Sequence, residues 1–391
     1  MLRIQTLNKI APAGLQRFPS DKYLVGSDVD APDAILVRSA KLHEMEFHSS
    51  LKAIGRAGAG VNNIPVERCT REGIVVFNTP GANANAVKEL VLAAMLASSR
   101  NLVAGINWAK TLIGKGDEVP KLVEAGKSSF VGPEIQGKTM GVIGLGAIGM
   151  LVANAAQSLG MRVIGFDPYI SVDSAWMISK DVEKAGTLEG LLGQSDFLSL
   201  HIPLMDETKQ FIDKEKFKSM KDGVRIMNFA RGGLVNVTDL FEAFESGKVA
   251  SFATDFPDEQ LLQHDQVIGI PHLGASTPES ELNCASMAVD QVKDFLEYGN
   301  IRNSVNFPNA EMLMESEFRL IIANMNIPKM VGRITNILAE AEINISHMLN
   351  RNRGEIAYNI IDIDHDIPED QMNKIRSLEG VFMARFLSRA S

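Results

Sequence analysis

The sequence predicts an α/β chain built on doubly wound parallel sheets and closed by a small βαββαβ unit. Three observations carry this. The chain has 391 residues, enough for two or three domains that each bury a core. Short apolar runs alternate with segments of helical period through most of its length, the order that parallel sheets require. Over about the last seventy residues the order changes to strand, helix, two strands, helix, strand.

Along the first hundred residues, 34–37, 51–55 and 73–77 read as strands, separated by helical segments. From Ala86 to Leu112 one long pattern rich in Ala, Leu and Val reads as a helix suited to passing from one domain to the next. A second series follows, with strands at 140–143, 162–166, 197–200, 223–227, 250–254 and 267–270, and it implies an open parallel sheet. The helical pattern from Glu279 to Glu297 would return the chain to the first domain, making that domain discontinuous. The expected division is therefore 1–98 with 287–307, then 99–286, then 316–391. In the last of these, strands at 318–322, 343–349, 356–363 and 381–386 and helices at 330–341 and 370–377 give a ferredoxin-like arrangement.

Composition narrows the function. With 45% hydrophobic and 22% charged residues the chain is not a disordered one. Lys and Arg number 39 against 48 Asp and Glu, a formal charge of −9 with pI near 5.4, and no basic run occurs, so nucleic acid is not expected as a partner. An anionic ligand would need a local basic pocket. Cys69 and Cys284 stand far apart in no CxxC pattern, so no metal site is expected and a reducing compartment fits best. The N-terminus has no apolar run of signal-peptide length. Thr139 to Met161 lacks charge for 23 residues but carries five glycines with Asn154, Gln157 and Ser158, which suits a membrane span poorly. A soluble, cytoplasmic protein without membrane contact is expected.

Gly144-Leu145-Gly146-Ala147-Ile148-Gly149 is a GxGxxG between an apolar strand and a helical pattern. Gly144 permits the tight turn, Gly146 lets a pyrophosphate approach the backbone, and Gly149 lets helix pack on strand. The helix N-terminus adds free N–H groups and a positive dipole end. Asp167 follows the next strand, 18 residues beyond Gly149. A carboxylate there suits the ribose hydroxyls and repels a 2′-phosphate, favouring NAD over NADP; the alternative is a strand-end cap.

Three polar residues then follow strands at the carboxyl side of this sheet, where ligands bind: Arg231, Glu259 and His272. Arg231, before two glycines, can hold a carboxylate by paired hydrogen bonds and polarise an adjacent carbonyl, or it is an ordinary turn arginine. The imidazole of His272 suits removal of a hydroxyl proton as hydride leaves the same carbon. His201 is its rival by position, although a cofactor-lining place suits it better. Glu259 could hydrogen-bond the imidazole and fix its tautomer, with Asp258 left open as the alternative.

These residues resemble the D-isomer-specific 2-hydroxyacid dehydrogenase family from Ala34 to about Asn306. The likeness rests on Gly-Arg-Ala-Gly-Ala-Gly-Val at 55–61, Val-Phe-Asn-Thr-Pro at 76–80 and Gly137-Lys138-Thr139. Ala-Arg-Gly-Gly-Leu-Val at 230–235 and Pro-His-Leu-Gly-Ala-Ser-Thr at 271–277 complete it. The resemblance implies a Rossmann-type domain inserted in a flavodoxin-like substrate domain, with substrate entering a cleft between them. It also implies a catalytic Arg231, Glu259 and His272. NAD would be held by Gly144, Gly146, Ala147, Ile148, Asp167, His201, Pro203, Thr208, Ala230, Asp255, His272 and Gly274, with Asp255 on the nicotinamide carboxamide.

Within the family the likeness is greatest to members that oxidise a phosphorylated hydroxy acid. It places Arg38, Ser39, Arg56, Gly58, Arg231 and His272 on the substrate, the first two arginines supplying cations for the phosphate. Dehydrogenases of hydroxypyruvate, glyoxylate or 2-hydroxyglutarate, or a non-catalytic NAD sensor, are the alternatives. The family spacing after Asp255 is one residue longer than Phe256-Pro257-Asp258-Glu259.

The C-terminal unit resembles the ACT regulatory domain. That implies a homo-oligomer, dimer or tetramer, and an amino-acid effector at Asn324, Asn326 and Asn344. Lys329 and Glu342 stand where glycines are common, and Asn324 replaces a histidine of serine-sensitive relatives, which argues against serine feedback.

Overall fold

The computed structural model describes residues 1–389, without the side chain of Asp173. The last two residues of the expected 316–391 segment lie outside the described residues. The chain folds into two compact units, residues 1–82 with 281 onward, and residues 83–280.

The first unit begins with five parallel strands: β1 (Leu2–Leu7), β2 (Tyr23–Gly26), β3 (Ala34–Val37), β4 (Ala53–Arg56) and β5 (Val75–Phe77). Their order is β2-β1-β3-β4-β5, the flavodoxin-like arrangement. The expectation missed β1 and β2, because Arg3, Gln5 and Thr6 break any apolar run and only Ile4 of β1 is buried. β3 and β4 are buried on both faces except at Arg56, so they read as continuous apolar runs.

The second unit holds seven parallel strands: β6 (Thr139–Ile143), β7 (Arg162–Phe166), β8 (Glu183–Lys184), β9 (Phe197–Leu200), β10 (Val224–Asn228), β11 (Val249–Thr254) and β12 (Val267–Gly269). The order β12-β11-β10-β9-β6-β7-β8 reverses at β6, and the glycine loop leaves the sheet there. β8 also escaped expectation: it is two charged residues at the sheet edge, which is how edges are blunted.

The single helix expected from Ala86 to Leu112 is two helices, Ala84–Ser99 and Leu102–Lys110, bent by 64°. Asn101 adopts the left-handed conformation (φ 48°) at the break, which Asn tolerates better than most residues. Among the described residues no single helix is long and apolar enough to cross a membrane. The uncharged run from Thr139 to Met161 is divided between β6 and the helix Ala147–Ser158.

Back in the first unit, β13 (Phe318–Met325), β14 (Ile345–Arg353), β15 (Ile356–Ile363) and β16 (Val381–Ser388) form an antiparallel sheet in the order β14-β15-β13-β16. Alternation along β13 divides its side chains between two faces. Leu320 and Ile322 pack with Ile334, Leu338, Met372 and Ile375 of the two helices, whereas Ile321 and Ala323 share a core with Val292, Phe295 and Leu296. Those last three belong to the helix Pro278–Tyr298. Side chains of the sheet take carbonyls at and just beyond its C-terminal end. Arg319 donates to Tyr298 O at 2.9 Å, Tyr358 to Gly299 O at 2.7 Å and Arg385 to Leu296 O at 2.9 Å.

Candidate active site

The loop after β6 is shaped by its glycines. Gly144 has φ 88°, and a Cβ there would lie 2.6 Å from the His201 carbonyl oxygen. One on Gly149 would lie 1.9 Å from the Gly144 carbonyl oxygen, so helix and loop touch at this point. Around Gly146, which caps the helix Ala147–Ser158, a Cβ would meet nothing within 4 Å. That open side leaves the helix N-terminus free to be approached, as a pyrophosphate requires. Ala147 is exposed and Ile148 half-buried beside it.

Asp167 accepts hydrogen bonds from Leu145 N and Tyr169 N, both at 2.8 Å, so its carboxylate is fixed against the loop. It lines a cavity of about 560 Å³ with apolar Leu145, Phe166, Ile170 and Ile178, and with Lys180, Glu183 and Lys184 as the other charged residues. These residues fit the adenosine end of a dinucleotide. They would hold it, while its nicotinamide would supply a hydride acceptor.

His201 follows β9 with Nε2 2.8 Å from Ser199 Oγ and a buried Nδ1 that has no partner. Burial pushes its pKa down to about 4, so the ring is neutral near pH 7 and a poor proton acceptor. Thr208 closes the following loop, donating to Pro203 O at 2.6 Å and accepting from Met205 N at 2.7 Å.

Arg231 is exposed in the turn after β10, its Nη1 donating to Ala230 O at 2.7 Å. The turn is held from beneath by buried Asn228, whose Nδ2 donates to Arg231 O at 2.9 Å and whose Oδ1 accepts from Ala230 N at 3.3 Å. Asn228 was not among the expected residues; its only signal is an amide side chain ending an apolar strand. His272 is exposed after β12, its ring 4.6 Å from that of Phe256.

Between these elements, at the end of β11, lies Asp255, 2% exposed. Neither of its carboxylate oxygens meets a donor in good hydrogen-bond geometry. Burial raises its pKa, opposed first by the charge of His272, next by the nearby backbone N–H groups of Gly274 and of Asp255 itself, and last by the charge of Arg231. Asp255, His272 and Arg231 therefore share one electrostatic neighbourhood.

The expected contact of Glu259 with His272 is not formed. Asp258 caps the short helix Glu259–Leu262 by accepting from Leu261 N at 2.9 Å, which leaves Glu259 in its first turn, facing water. The carboxylate next to His272 is Asp255. Gly274 is buried against it, a Cβ there falling 3.4 Å from Asp255 Oδ2.

In the other unit, Arg38 follows β3 and Arg56 ends β4. With Ser39, Lys41, His43, Asn62 and Asn63 they line a cavity of about 410 Å³. Gly58 (φ 145°) lets the Arg56 guanidinium lie across it, since a Cβ would fall 1.6 Å from Arg56 Nη1. Ser39 N donates to Asn8 Oδ1 at 3.1 Å. Arg38 Nη1 pairs with Glu281 Oε1 at 2.7 Å, a partner that sequence reading missed because it stands 243 residues away.

The three asparagines of the C-terminal sheet do not meet in one copy. Asn324 is buried, donating to Met325 O at 2.6 Å and accepting from Asn359 Nδ2 at 2.7 Å, and Asn326 reaches Gly354 O at 3.3 Å. Asn344 sits at the opposite end of the strands, as the pairings Met325↔Ile356 and Ile345↔Ile363 show. At strand rise the two ends are roughly 20 Å apart. Lys329 (φ 72°) and Glu342 (φ 58°) both hold the left-handed backbone that glycine would adopt without strain.

Residues 92–274 match the model of the D-isomer specific 2-hydroxyacid dehydrogenase NAD binding domain. The chain is 36% identical over 320 residues to a D-3-phosphoglycerate dehydrogenase of Archaeoglobus fulgidus, covering 79% of this chain and 58% of that protein. The NAD-binding domain of this chain is that of the D-isomer-specific 2-hydroxyacid dehydrogenases. A Bacillus subtilis D-3-phosphoglycerate dehydrogenase is 33% identical over 354 residues, 86% of this chain and 64% of the relative. The chain thus spans about three-fifths of the length of those relatives. Among solved structures, the NAD-bound 3-phosphoglycerate dehydrogenase of Entamoeba histolytica superposes with a TM-score of 0.61 at 25% identity, covering 80% of this chain and 99% of that one.

Proposed function

We propose that this chain oxidises D-3-phosphoglycerate to 3-phosphohydroxypyruvate with NAD, the opening reaction of serine synthesis. The observation that carries the choice of a phosphorylated substrate is the cavity lined by Arg38, Lys41, His43 and Arg56 in a chain of net charge −9. The names of the relatives support the same reading. His272 takes the proton of the C2 hydroxyl as the C–H bond breaks, and the C–H electron pair leaves as hydride. NAD, when bound, accepts that hydride. Arg231 binds the carboxylate and stabilises the carbonyl as it forms, while Arg38 and Arg56 take the phosphate. Asp255 holds a negative charge beside His272, favouring the imidazolium as the proton arrives. Glu259 takes the role of His272's partner only if its helix shifts on ligand binding.

The proposal extends to a substrate domain at 1–98 and 287–307, an NAD-binding domain at 99–286 and a regulatory unit at 316–391. It includes a cytoplasmic homo-oligomer in which Asn324 and Asn326 of one copy and Asn344 of another share an amino-acid effector. A second reading, a dehydrogenase of an unphosphorylated 2-hydroxy acid, is favoured by the pairing of Arg38 with Glu281. NADH formation from D-3-phosphoglycerate and NAD, with and without serine, tests the first reading. Arg56→Ala should raise KM for D-3-phosphoglycerate far more than for an unphosphorylated 2-hydroxy acid; equal losses would remove the phosphate assignment.

A further inference from the structure

We infer that Glu281 holds down the anion affinity of the Arg38 cavity by placing a carboxylate of the protein's own on Arg38, an inference that rests on the substrate reading given above. The two side chains meet at 2.7 Å and are 36% and 37% exposed. An ion pair so open to water is weak, so a ligand anion can displace it. The cavity lining is otherwise one-sided: Arg38, Lys41, His43 and Arg56 with Ser39, Asn62 and Asn63, and no acid. Glu281 belongs to the first turns of the helix Pro278–Tyr298, where the positive end of the helix favours a carboxylate.

The consequence is a brake on every anion that binds Arg38. In the free protein Arg38 is neutralised. A singly charged carboxylate that enters merely exchanges with the Glu281 carboxylate and gains little. A phosphate, with a charge of about −1.5 to −2, replaces it with nearly twice the charge and engages the neighbouring cations as well. Removing the Glu281 charge should therefore strengthen binding of every anion that reaches Arg38, with the preference for phosphate over carboxylate kept.

The test is isothermal titration of inorganic phosphate and of acetate into the full chain as wild type, Glu281→Gln, Glu279→Gln and the double variant Arg38→Ala with Glu281→Gln. Glu279→Gln removes the same charge from the same helix end and leaves the Arg38–Glu281 pair in place. Glu281→Gln should bind phosphate about three- to fivefold more tightly, the scale of an exposed pair, with acetate gaining by no more than the same factor. Glu279→Gln should match wild type, and the double variant should lose the gain. Unchanged or weaker phosphate binding in Glu281→Gln, or an equal gain in Glu279→Gln, would overturn the inference. In turnover, Glu281→Gln should lower KM for D-3-phosphoglycerate by the same factor. If the titrations behave as expected but wild type fails to oxidise D-3-phosphoglycerate, the substrate reading falls and the effect of Glu281 on anion affinity stands.

Discussion

Two buried aspartates divide this molecule. Asp362 in the C-terminal sheet is wholly buried opposite Arg319, Oδ1 to Nε at 2.5 Å and Oδ2 to Nη2 at 3.0 Å. The remaining guanidinium nitrogen spends its hydrogen bonds on two backbone carbonyls, Tyr298 O and Met312 O. Asp255 in the other unit is almost as deeply buried, but neither oxygen meets a donor in good hydrogen-bond geometry, and the charges that offset its burial belong to His272 and Arg231. A charge buried with all its partners fixes architecture. A charge buried without them is maintained against its own desolvation, which is why the proposed site is placed around Asp255.

The comparison can be broken at either end. The largest effect is expected from Arg319→Leu, which strands Asp362: chemical denaturation should show a loss of about 3–5 kcal/mol. Next, His272→Asn should lower kcat by about 10²-fold or more with the fold intact, by circular dichroism and steady-state NADH assay.

The titrations of Asp255 and His201 should bend stability in opposite directions. Folded Asp255 keeps its proton to higher pH than the unfolded chain does, so its contribution to stability falls as pH rises from 3.8 through its raised value, then levels. The stability of Asp255→Asn relative to wild type should accordingly grow across that window. Buried His201, at about 4 when folded against 6.5 unfolded, costs stability as pH drops from 6.5 towards 4, because the unfolded chain binds the proton first. His201→Gln should flatten that acid-side loss in denaturation curves measured between the two values. The smallest effect is at Glu342, the left-handed residue following the helix Met330–Glu340, where Glu342→Gly should add about 1 kcal/mol by relieving the side-chain strain.

What was legible in the sequence was what local chemistry dictates. The glycine loop, Asp167 and the βαββαβ order each depend on neighbours within a few dozen residues, and the structure shows their elements within one to four residues of expectation. The strands that escaped were polar or at sheet edges, β1, β2 and β8, where apolar periodicity is weakest. The bend at Asn101 escaped because both flanking segments have helical composition. The site partners that escaped, Asp255 beside His272 and Glu281 on Arg38, are consequences of burial and of approach between distant segments, which no spacing records. Glu259 departs by one residue from the family spacing, and the cap made by Asp258 leaves it facing water.

One side-by-side experiment reaches the central claim: Asp255→Asn and Asp362→Asn, each followed by chemical denaturation and by NADH formation per folded molecule. Asp255→Asn should keep or gain stability near pH 7 while turnover collapses. Asp362→Asn should lose about 3 kcal/mol or more while its folded fraction keeps its turnover. Stability lost at Asp255 with turnover intact, or turnover abolished at Asp362 with stability intact, would contradict it.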